Sequence, residues 1–388
     1  MTLFGDFYFF IWAALLLVPA VVLGLMEKPI KYYGAFVTAV FIYMAMGSSP
    51  KAILNLAVYC LYQLLLVNAY IFVNRRKPRN GILYWLFIIL SIAPLGVWKI
   101  SAFVTGHGIF AFLGLSYLTF KSVQIIIEIY DGLIKDVKPF DFLYFLTFFP
   151  CLSSGPIDRS RRFSEDLYGK LSRAEYIDLL GNGLFKIVLG MTYKFALAAG
   201  FYQAITWLGS GSRLINQGIY MYSYGLYLFF DFAGYSLMAV GTSYILGIKS
   251  PDNFNKPFLA TDMKDFWDRW HMSLSYWFRD FIFSRFMMKA IKGKWFKNKL
   301  TGASVGFIIN MGVMGVWHGL DIYYIIYGLY HGVLLALTEI YQKKSKFHKK
   351  HKKERWYKFI SWGITFNLAM FGFFIFSGRF TQILGLSG

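Results

Sequence analysis

Six histidines are the side chains of this sequence best suited to acid–base chemistry, because an imidazole ordinarily titrates near neutral pH. His348 and His351 stand among lysines, a pattern that predicts a solvated loop. His107 has a glycine on each side and separates two apolar runs, which indicates a connecting loop. The other three are the candidates for chemistry: His271, His318 and His331.

His318 follows Trp317 at the end of an apolar run. The run is rich in small residues, which allow helices to pack closely in a membrane: Gly302, Ala303, Ser304, Gly306, Gly312 and Gly315. An ionisable group inside such a segment is costly and therefore functional by default. A neutral histidine that donates to a backbone carbonyl is an equally open interpretation.

The remaining polar candidates admit a structural role as well as a functional one. His271 is flanked by acidic, basic and hydroxyl residues, as in an interfacial segment or a site. His331 lies thirteen residues after His318 on the next apolar run; it could share the same cavity, although packing is favoured. Asp231 is the acidic residue within run 216–246, and a partner for a basic side chain is favoured over a transport carboxylate.

Several other chemistries lack their sequence patterns. Residues 302–306 (GASVG) match the letters of a Gly-x-Ser-x-Gly elbow, but they lie inside an apolar run and not at a strand-to-helix turn, and the chain has no phosphate-binding Walker loop. No His-Glu-x-x-His helix is present, and two cysteines make neither a zinc cluster nor a disulfide framework. The sequence therefore predicts no metal site.

Composition places the chain in a membrane. Of its 388 residues 57% are hydrophobic and 15% are charged, against ~25% charged in soluble domains. Apolar stretches long enough to approach a membrane span recur along the chain, near residues 7–26, 33–46, 52–73, 82–105, 108–129, 138–152, 180–207, 216–246, 302–317, 321–341 and 357–376. We expect an all-α polytopic membrane protein with about ten to eleven transmembrane helices, plus re-entrant and interfacial helices.

The net charge of +20 predicts an orientation. The basic residues lie between apolar runs, which favours anchoring of cytoplasmic loops over binding to nucleic acid. With the basic cluster 75–79 inside, the N-terminus lies outside. Run 138–152 is short and ends in a Pro- and Ser-rich stretch, so we expect it to be re-entrant. Residues 248–300 and 343–358 are then cytoplasmic, and the C-terminus is extracytoplasmic.

Residues 248–300 are too polar to span a membrane and unusually aromatic. Thr261 is positioned to cap a helix whose aromatic residues recur every three or four positions, and such a helix would lie in the interface. No linker or repeat divides the chain. We predict one membrane domain, 1–388, made of N-terminal helices (1–105), a core (106–340) and a basic loop with the last helix (341–388).

Several blocks in the core resemble those of one known family. Residues 265–275 (DFWDRWHMSLS) resemble a signature of bacterial membrane-bound O-acyltransferases, the MBOAT family, and residues 317–319 (WHG) resemble its hallmark histidine motif. Residues 148–150 (FFP), 155–157 (GPI) and 231–236 (DFAGYS) are similar to further blocks, in the same order. The resemblance covers about residues 110 to 335 and implies the MBOAT fold.

Two bacterial branches of the family are possible. The polysaccharide O-acetyltransferases share the histidine blocks, but the length and residues 155–163 (GPIDRSRRF) are more similar to the branch that attaches D-alanine to teichoic acid. That branch implies an acidic cytoplasmic carrier protein whose phosphopantetheine thioester holds D-alanine, with no cofactor bound to this chain. It also implies a teichoic acid acceptor and an extracytoplasmic membrane-anchored accessory protein, among membrane lipids. A transporter without its own chemistry is the alternative from another class.

The resemblance also implies roles for residues. His318 would be the general base on the acceptor hydroxyl, and His271 would orient the substrate or stabilise the oxyanion. The expected passage through the membrane would be lined by residues around these histidines: Trp317, Ser273, Arg269, Asp231 and His331. We expect His318 at its narrowest point, near the middle of the membrane.

A basic segment after the signature block is the predicted docking site for the carrier protein. It combines apolar and cationic residues: Phe286, Met287, Met288, Ile291, Lys289 and Lys292. Methionines adapt to partner surfaces, and the cations would attract an acidic carrier. An interfacial helix with snorkelling lysines is equally compatible with the residues alone, and the resemblance favours docking.

Overall fold

The computed structural model describes residues 1–208 and 214–386, and within these residues the regular structure is helical, without a strand. Each apolar run predicted above contains a helix. The α-helices are α1 (Phe7–Leu25), α2 (Lys31–Met46), α3 (Pro50–Arg76), α4 (Gly81–Thr105), α5 (Leu115–Tyr130), α6 (Pro139–Thr147), α7 (Ser160–Tyr168), α8 (Arg173–Met191), α9 (Ala199–Leu208), α10 (Leu214–Ile245), α11 (Met263–Trp267), α12 (Met272–Phe278), α13 (Ser284–Lys292), α14 (Lys299–His318), α15 (Ile322–Lys344), α16 (Lys346–His351), α17 (Arg355–Phe376) and α18 (Arg379–Ile383).

Six helical segments of the described chain are long and apolar enough to cross a membrane: Phe7–Leu25, Pro50–Arg76, Gly81–Thr105, Arg173–Trp207, Lys299–His318 and Arg355–Phe376. The predicted all-α, multi-pass class is confirmed. The count of ten to eleven crossings stays a prediction.

The contacts group the chain into two compact units. Unit 1 comprises Met1–Thr192 and Gly234–Asp252, and unit 2 comprises Tyr193–Ala233 and Asn253–Gly388. Both units draw on α10, which runs from one into the other. The description as a single domain stays a prediction, and each unit is described below by itself.

Polar side chains join the helices of unit 1 where apolar contacts alone would not fix their register. Between α3 and α4, Gln63 donates through Nε2 to the carbonyl of Ser91 and accepts from its Oγ, both at 2.9 Å. Tyr59 and Thr119 share a buried hydrogen bond of 3.0 Å between α3 and α5. In an apolar environment such paired groups hold one arrangement, because slipping would leave them unsatisfied.

The helix in the predicted re-entrant segment, α6, is short, and its re-entrant course stays a prediction. Its nine residues extend roughly 13 Å, less than half the hydrocarbon thickness. The buried Nζ of Lys121 donates to the carbonyls of Phe145 and Leu146 at 2.9 and 3.2 Å, where α6 ends. Tyr168, the last residue of α7, donates to Asp141 in the first turn of α6 at 2.8 Å. The chain therefore returns to the place at which α6 begins.

In unit 1, the loop after α3 and the loop after α5 lie at the same end of these two helices. Arg75, at the end of α3, forms an ion pair with Asp136, which follows α5. The two basic loops thus share a side, as the orientation scheme requires. That this side is cytoplasmic stays a prediction. The extracytoplasmic location of both termini also stays a prediction, and residue 388 lies outside the described residues.

A tight helical hairpin dominates unit 2. Helices α14 and α15 approach so closely that a Cβ on Gly315 would lie 2.5 Å from the carbonyl oxygen of Tyr324 and 3.1 Å from the Cα of Gly328. Only glycine fits such an approach, the arrangement that small residues permit in membrane helices. Helix α17 packs on α15, and Tyr330 donates to the carbonyl of Leu368 at 3.0 Å.

The aromatic strip between α10 and α14 is broken into short helices, and the predicted cap at Thr261 was wrong. Asp262 caps α11, and its Oδ1 accepts from the amides of Lys264 and Asp265 at 2.9 and 3.0 Å. A carboxylate one position later reaches both free amides, so it is the better cap here. After α11 the chain turns at residues 268–271 and re-enters helix at Met272.

Candidate active site

His318 is the last residue of α14 and is half-buried among aromatic rings. Its ring centroid lies 4.6 Å from that of Trp317 and 5.1 Å from that of Phe376. Tyr324 and Tyr327 lie 6.0 Å away on α15. The hairpin contact at Gly315 lies one turn earlier, so the end of α14 is fixed against α15 next to this histidine.

His271 lies at the sharp turn that separates α11 from α12. Its backbone is left-handed, with φ 43° and ψ 52°, a conformation that costs a non-glycine residue on the order of 1–3 kcal/mol unless its surroundings hold it. The carbonyl of Asn253 accepts from the amide of Met272 at 2.8 Å. The side-chain oxygen of Asn253 accepts from the hydroxyl of Ser273 at 2.5 Å. Asn253 thus holds the backbone that follows His271.

The His271 ring is buried, being only 4% exposed, and the Phe232 ring stands perpendicular to it at 4.7 Å. Burial, and to a lesser degree charge on His318, lower the pKa of His271, which lies outside the six candidate spans, to about 3. His271 is therefore uncharged near neutral pH. Its Nε2 atom has no hydrogen-bond partner among the described residues. A buried polar atom without a hydrogen bond lowers the stability of the fold by about 1–3 kcal/mol. A substrate oxygen could form the missing hydrogen bond.

His331 is packed in the core of unit 2. It is fully buried, and Trp267 donates through Nε1 to its Nδ1 at 3.4 Å. Tyr327 connects the two histidine surroundings, because its ring lies 4.6 Å from that of His331 and 6.0 Å from that of His318. A Cβ on Gly372 would lie 2.4 Å from His331 Nε2. These contacts support the favoured packing role.

The other predicted passage residues all lie in unit 2. Trp317 adjoins His318, as described above. Arg269 donates from Nε to Asp265 at 2.6 Å, so its charge is neutralised one turn away. Asp231 forms an ion pair with Lys194, which lies in the π-helical segment Thr192–Ala198. This pairing matches the favoured structural role of Asp231. A role in lining a passage stays a prediction for these residues.

Asn310 is a polar residue that the sequence reasoning missed. It lies on α14 two turns before His318, is 7% exposed, and its Oδ1 has no hydrogen-bond partner within the described chain. Residues eight apart share a helix face and lie roughly 12 Å apart along the axis. A lone carboxamide in an apolar run was the signal that could have found it.

The predicted docking segment forms α13, and the structure distinguishes its inner and outer faces. Phe286 packs beside Trp295 and Phe296, with ring centroids 6.0 and 6.2 Å away. Met288 and Ile291 are 60% and 52% exposed. Sequence reasoning missed Trp295, which is 57% exposed. We call Met288, Ile291 and Trp295 the α13 patch.

Cations surround the α13 patch, and no acidic residue occurs between Phe281 and Leu300. Lys289, Lys292 and Lys294 are exposed beside it. A cavity of about 190 Å³ opens next to the patch and is lined in part by Met287, Ile291 and Lys294. An exposed apolar centre inside a basic rim is typical of a surface that binds an acidic protein.

The described residues offer no metal centre: no group of three or more His, Cys, Asp or Glu side chains in residues 1–208 and 214–386 is arranged to hold an ion. Unit 2 instead provides two imidazoles, one of them enclosed and neutral. Such a pair can move a proton and stabilise a developing negative charge.

The helical architecture agrees with a known class of membrane enzyme. Residues 83–377 match the model of the MBOAT, membrane-bound O-acyltransferase family. Because this match covers most of the chain, the protein belongs to that family and is an O-acyltransferase.

Individual relatives are similar over nearly the whole length. The teichoic acid D-alanyltransferase of Bacillus subtilis (strain 168) is 43% identical, over 98% of this chain and 98% of its own length. The protein of the same name from Streptococcus thermophilus is 39% identical, over 97% and 94%. The probable alginate O-acetylase AlgI of Pseudomonas syringae is 28% identical, over 80% of this chain and 60% of its own length.

Proposed function

We propose that this protein transfers D-alanine to teichoic acid at the outer side of the membrane. The observation that carries the proposal is the near-complete, 43% identical match to a teichoic acid D-alanyltransferase. The match to an alginate O-acetylase is weaker and covers 60% of that protein. It supports an exported-polysaccharide O-acetyltransferase as the second candidate.

The donor in this proposal is a D-alanyl thioester on the phosphopantetheine arm of an acidic carrier protein on the cytoplasmic side. The α13 patch and its lysine rim support docking there, because they combine exposed apolar area with positive charge. The arm reaches the acceptor through a passage across the membrane in which His318 marks the narrowest point. An extracytoplasmic membrane-anchored accessory protein completes the system on the other side.

The chemical step begins at the acceptor hydroxyl, whose oxygen attacks the thioester carbonyl carbon. His318 takes the hydroxyl proton as the C–O bond forms, and returns it to the sulfur as the C–S bond breaks. His271 donates from Nε2 to the carbonyl oxygen while that oxygen carries negative charge. The buried, unpartnered Nε2 and the uncharged ring support this role for His271.

Carrier docking is tested separately from chemistry. Met288→Asp places a negative charge in the α13 patch and should abolish capture of the acidic carrier in a pull-down. Phe286 and Met287 face the rest of unit 2, so their substitution would mix binding with folding. Leu259→Asp, at a residue that is also 60% exposed and outside the candidate spans, is the matched charge control and should leave capture intact. If Met288→Asp captures the carrier as well as the natural protein does, the docking site lies elsewhere.

The substrate is tested in membrane vesicles that contain this protein and teichoic acid. Carrier protein loaded with D-alanine or with acetate is supplied in parallel, and the label in the polymer is counted. The proposal expects transfer of D-alanine and at least tenfold less transfer of acetate. Preferential acetate transfer would favour the second candidate. Transfer that survives in a His318→Ala, His271→Ala double variant would favour a transporter without its own chemistry.

A further inference from the structure

A large cavity lies in unit 2 beside the basic segment 343–358, and neither His271 nor His318 lines it. It has a volume of about 720 Å³ and lies among the end of α15, α16, the beginning of α17 and the cap of α11. Three basic side chains line it: His348, Lys352 and Lys358. The role proposed above for this protein does not use this cavity.

The polar end of this cavity is suited to an anion. His348 is held in place by a 2.8 Å hydrogen bond between its Nδ1 and the hydroxyl of Tyr357. Asp262 also lines the cavity, but its carboxylate already caps α11 and accepts from Gln342 Nε2 at 2.9 Å. The two lysines outnumber this one carboxylate among the lining residues, so the polar end keeps a net positive charge. Such a pocket at the end of a membrane helix is typical of anionic headgroup sites.

The other end of the cavity continues into an apolar one. A second cavity of about 720 Å³ lies along α17, and it shares Ile360, Ile364 and Leu368 with the first. Its wall is almost entirely apolar and ends at Phe371. From Trp356 to Phe371 the two cavities follow α17 for roughly 22 Å.

This combination identifies the chemical class of the occupant. A small soluble anion would use the basic end and gain nothing from the apolar groove. An acyl chain would cover Ile360 and Ile364, which are 51% and 57% exposed, on a helix apolar enough to cross the membrane. The charge of the adjacent loop agrees, since residues 343–358 contain nine Lys or Arg and one acidic residue, Glu354.

We propose that the groove from Lys352 and Lys358 to Phe371 binds one anionic phospholipid, with its phosphate at the lysines and an acyl chain along α17. Bound there, the lipid fills the space between the basic loop and α17 and fixes the beginning of that helix. The site is thus a structural lipid site for an acidic headgroup rather than a substrate site.

The test measures lipid binding to the purified full chain in detergent. Fluorescent phosphatidylglycerol is titrated, with phosphatidylcholine of the same chains in parallel. A lysine near an acidic headgroup contributes roughly fivefold to affinity, so Lys352→Gln with Lys358→Gln should weaken phosphatidylglycerol binding roughly 30-fold. Lys349→Gln with Lys350→Gln removes the same charge from exposed residues that do not line the cavity, and should change affinity less than threefold.

A second variant tests the acyl-chain groove. Gly363 lines the apolar cavity, and a side chain there would meet open space, so Gly363→Phe should fill the groove and reduce phosphatidylglycerol binding at least tenfold. Gly181→Phe places the same ring on α8, also in open space, and should have no effect. Thermal unfolding of each variant verifies that the fold is retained.

Three results would overturn the proposal. Equal losses from the two lysine pairs would show general surface charge rather than a site. Equal binding of phosphatidylglycerol and phosphatidylcholine would show that the headgroup is not recognised. Competition by glycerol phosphate at the concentrations at which the lipid binds would identify a soluble phosphate site without a role for the groove.

Discussion

His271 and His318 lie in the same unit, but they differ in how firmly and how openly they are held. His271 occupies a left-handed turn that Asn253 fixes, and its ring is buried and uncharged. His318 ends a helix and is half-buried against aromatic rings. A fixed neutral ring is suited to stabilising charge on a substrate oxygen, whereas a more accessible ring is suited to moving a proton. This difference supports the distinct tasks proposed for the two histidines.

The strongest test of this difference is to remove His318, the proposed general base. We expect His318→Ala to lower D-alanyl transfer by about 10²–10⁴-fold, the usual contribution of acid–base assistance, with unchanged carrier binding. Transfer is measured in vesicles as label in the polymer. His107→Ala, in an exposed loop, is the matched control and should retain full activity. A His318→Ala protein with more than a tenth of the activity would contradict the assignment.

The second prediction concerns the donor. We expect His271→Ala to reduce transfer by about 10²–10³-fold, as for loss of one oxyanion donor, in the same vesicle assay. His271→Asn should be at least tenfold more active than His271→Ala, because its carboxamide can also donate a hydrogen bond to the substrate oxygen. If the alanine and asparagine variants are equally inactive, His271 acts in some way other than as a donor.

The third prediction concerns the support of His318. In Gly315→Ala the new methyl group would lie 2.5 Å from the Tyr324 carbonyl oxygen, so α14 and α15 must separate. A displacement of about 1 Å can cost 10²-fold in rate, and we expect a loss of about 10-fold to 10²-fold with a lower melting temperature. Gly312→Ala, whose nearest contact would be 3.8 Å, should keep both activity and stability. Equal behaviour of the two variants would show that the hairpin does not position His318.

The smallest expected effect is on stability at low pH. The folded-state pKa of His271 is about 3, below its ordinary value near 6.5, so the unfolded chain binds the extra proton between these values. The contribution of His271 to the free energy of unfolding is therefore constant above pH 6.5, and it decreases as the pH falls toward 3. We expect the melting temperature of His271→Asn to fall less than that of the natural protein between pH 6.5 and 4.5. Parallel pH curves would show that His271 is accessible to protons in the folded state.

The long helices could be predicted because most of the apolar runs are long and continuous, a local property of the sequence. The turn at His271 could not, since its left-handed backbone depends on Asn253, eighteen positions earlier. Nor could local pattern separate the faces of α13, because Phe286 and Met287 turn inward against glycines of α14. The motif led to the prediction for His318, which stays a prediction, whereas Asn310 was not predicted because carboxamides carry little chemical signature of their own.

The close packing of α14 has a mechanical consequence. Near one end, the ideal Cβ positions of Gly302 and Gly306 lie 3.7 Å from Met287 Cε and 3.2 Å from Phe286 Cδ1 of α13. At the other end, roughly 30 Å from its beginning, α14 carries His318. Because α14 packs closely against α13 near one end and against α15 near the other, it can transmit a displacement along its length. A displacement of α13, the helix proposed to receive the carrier, would therefore reach the surroundings of His318 through one continuous helix.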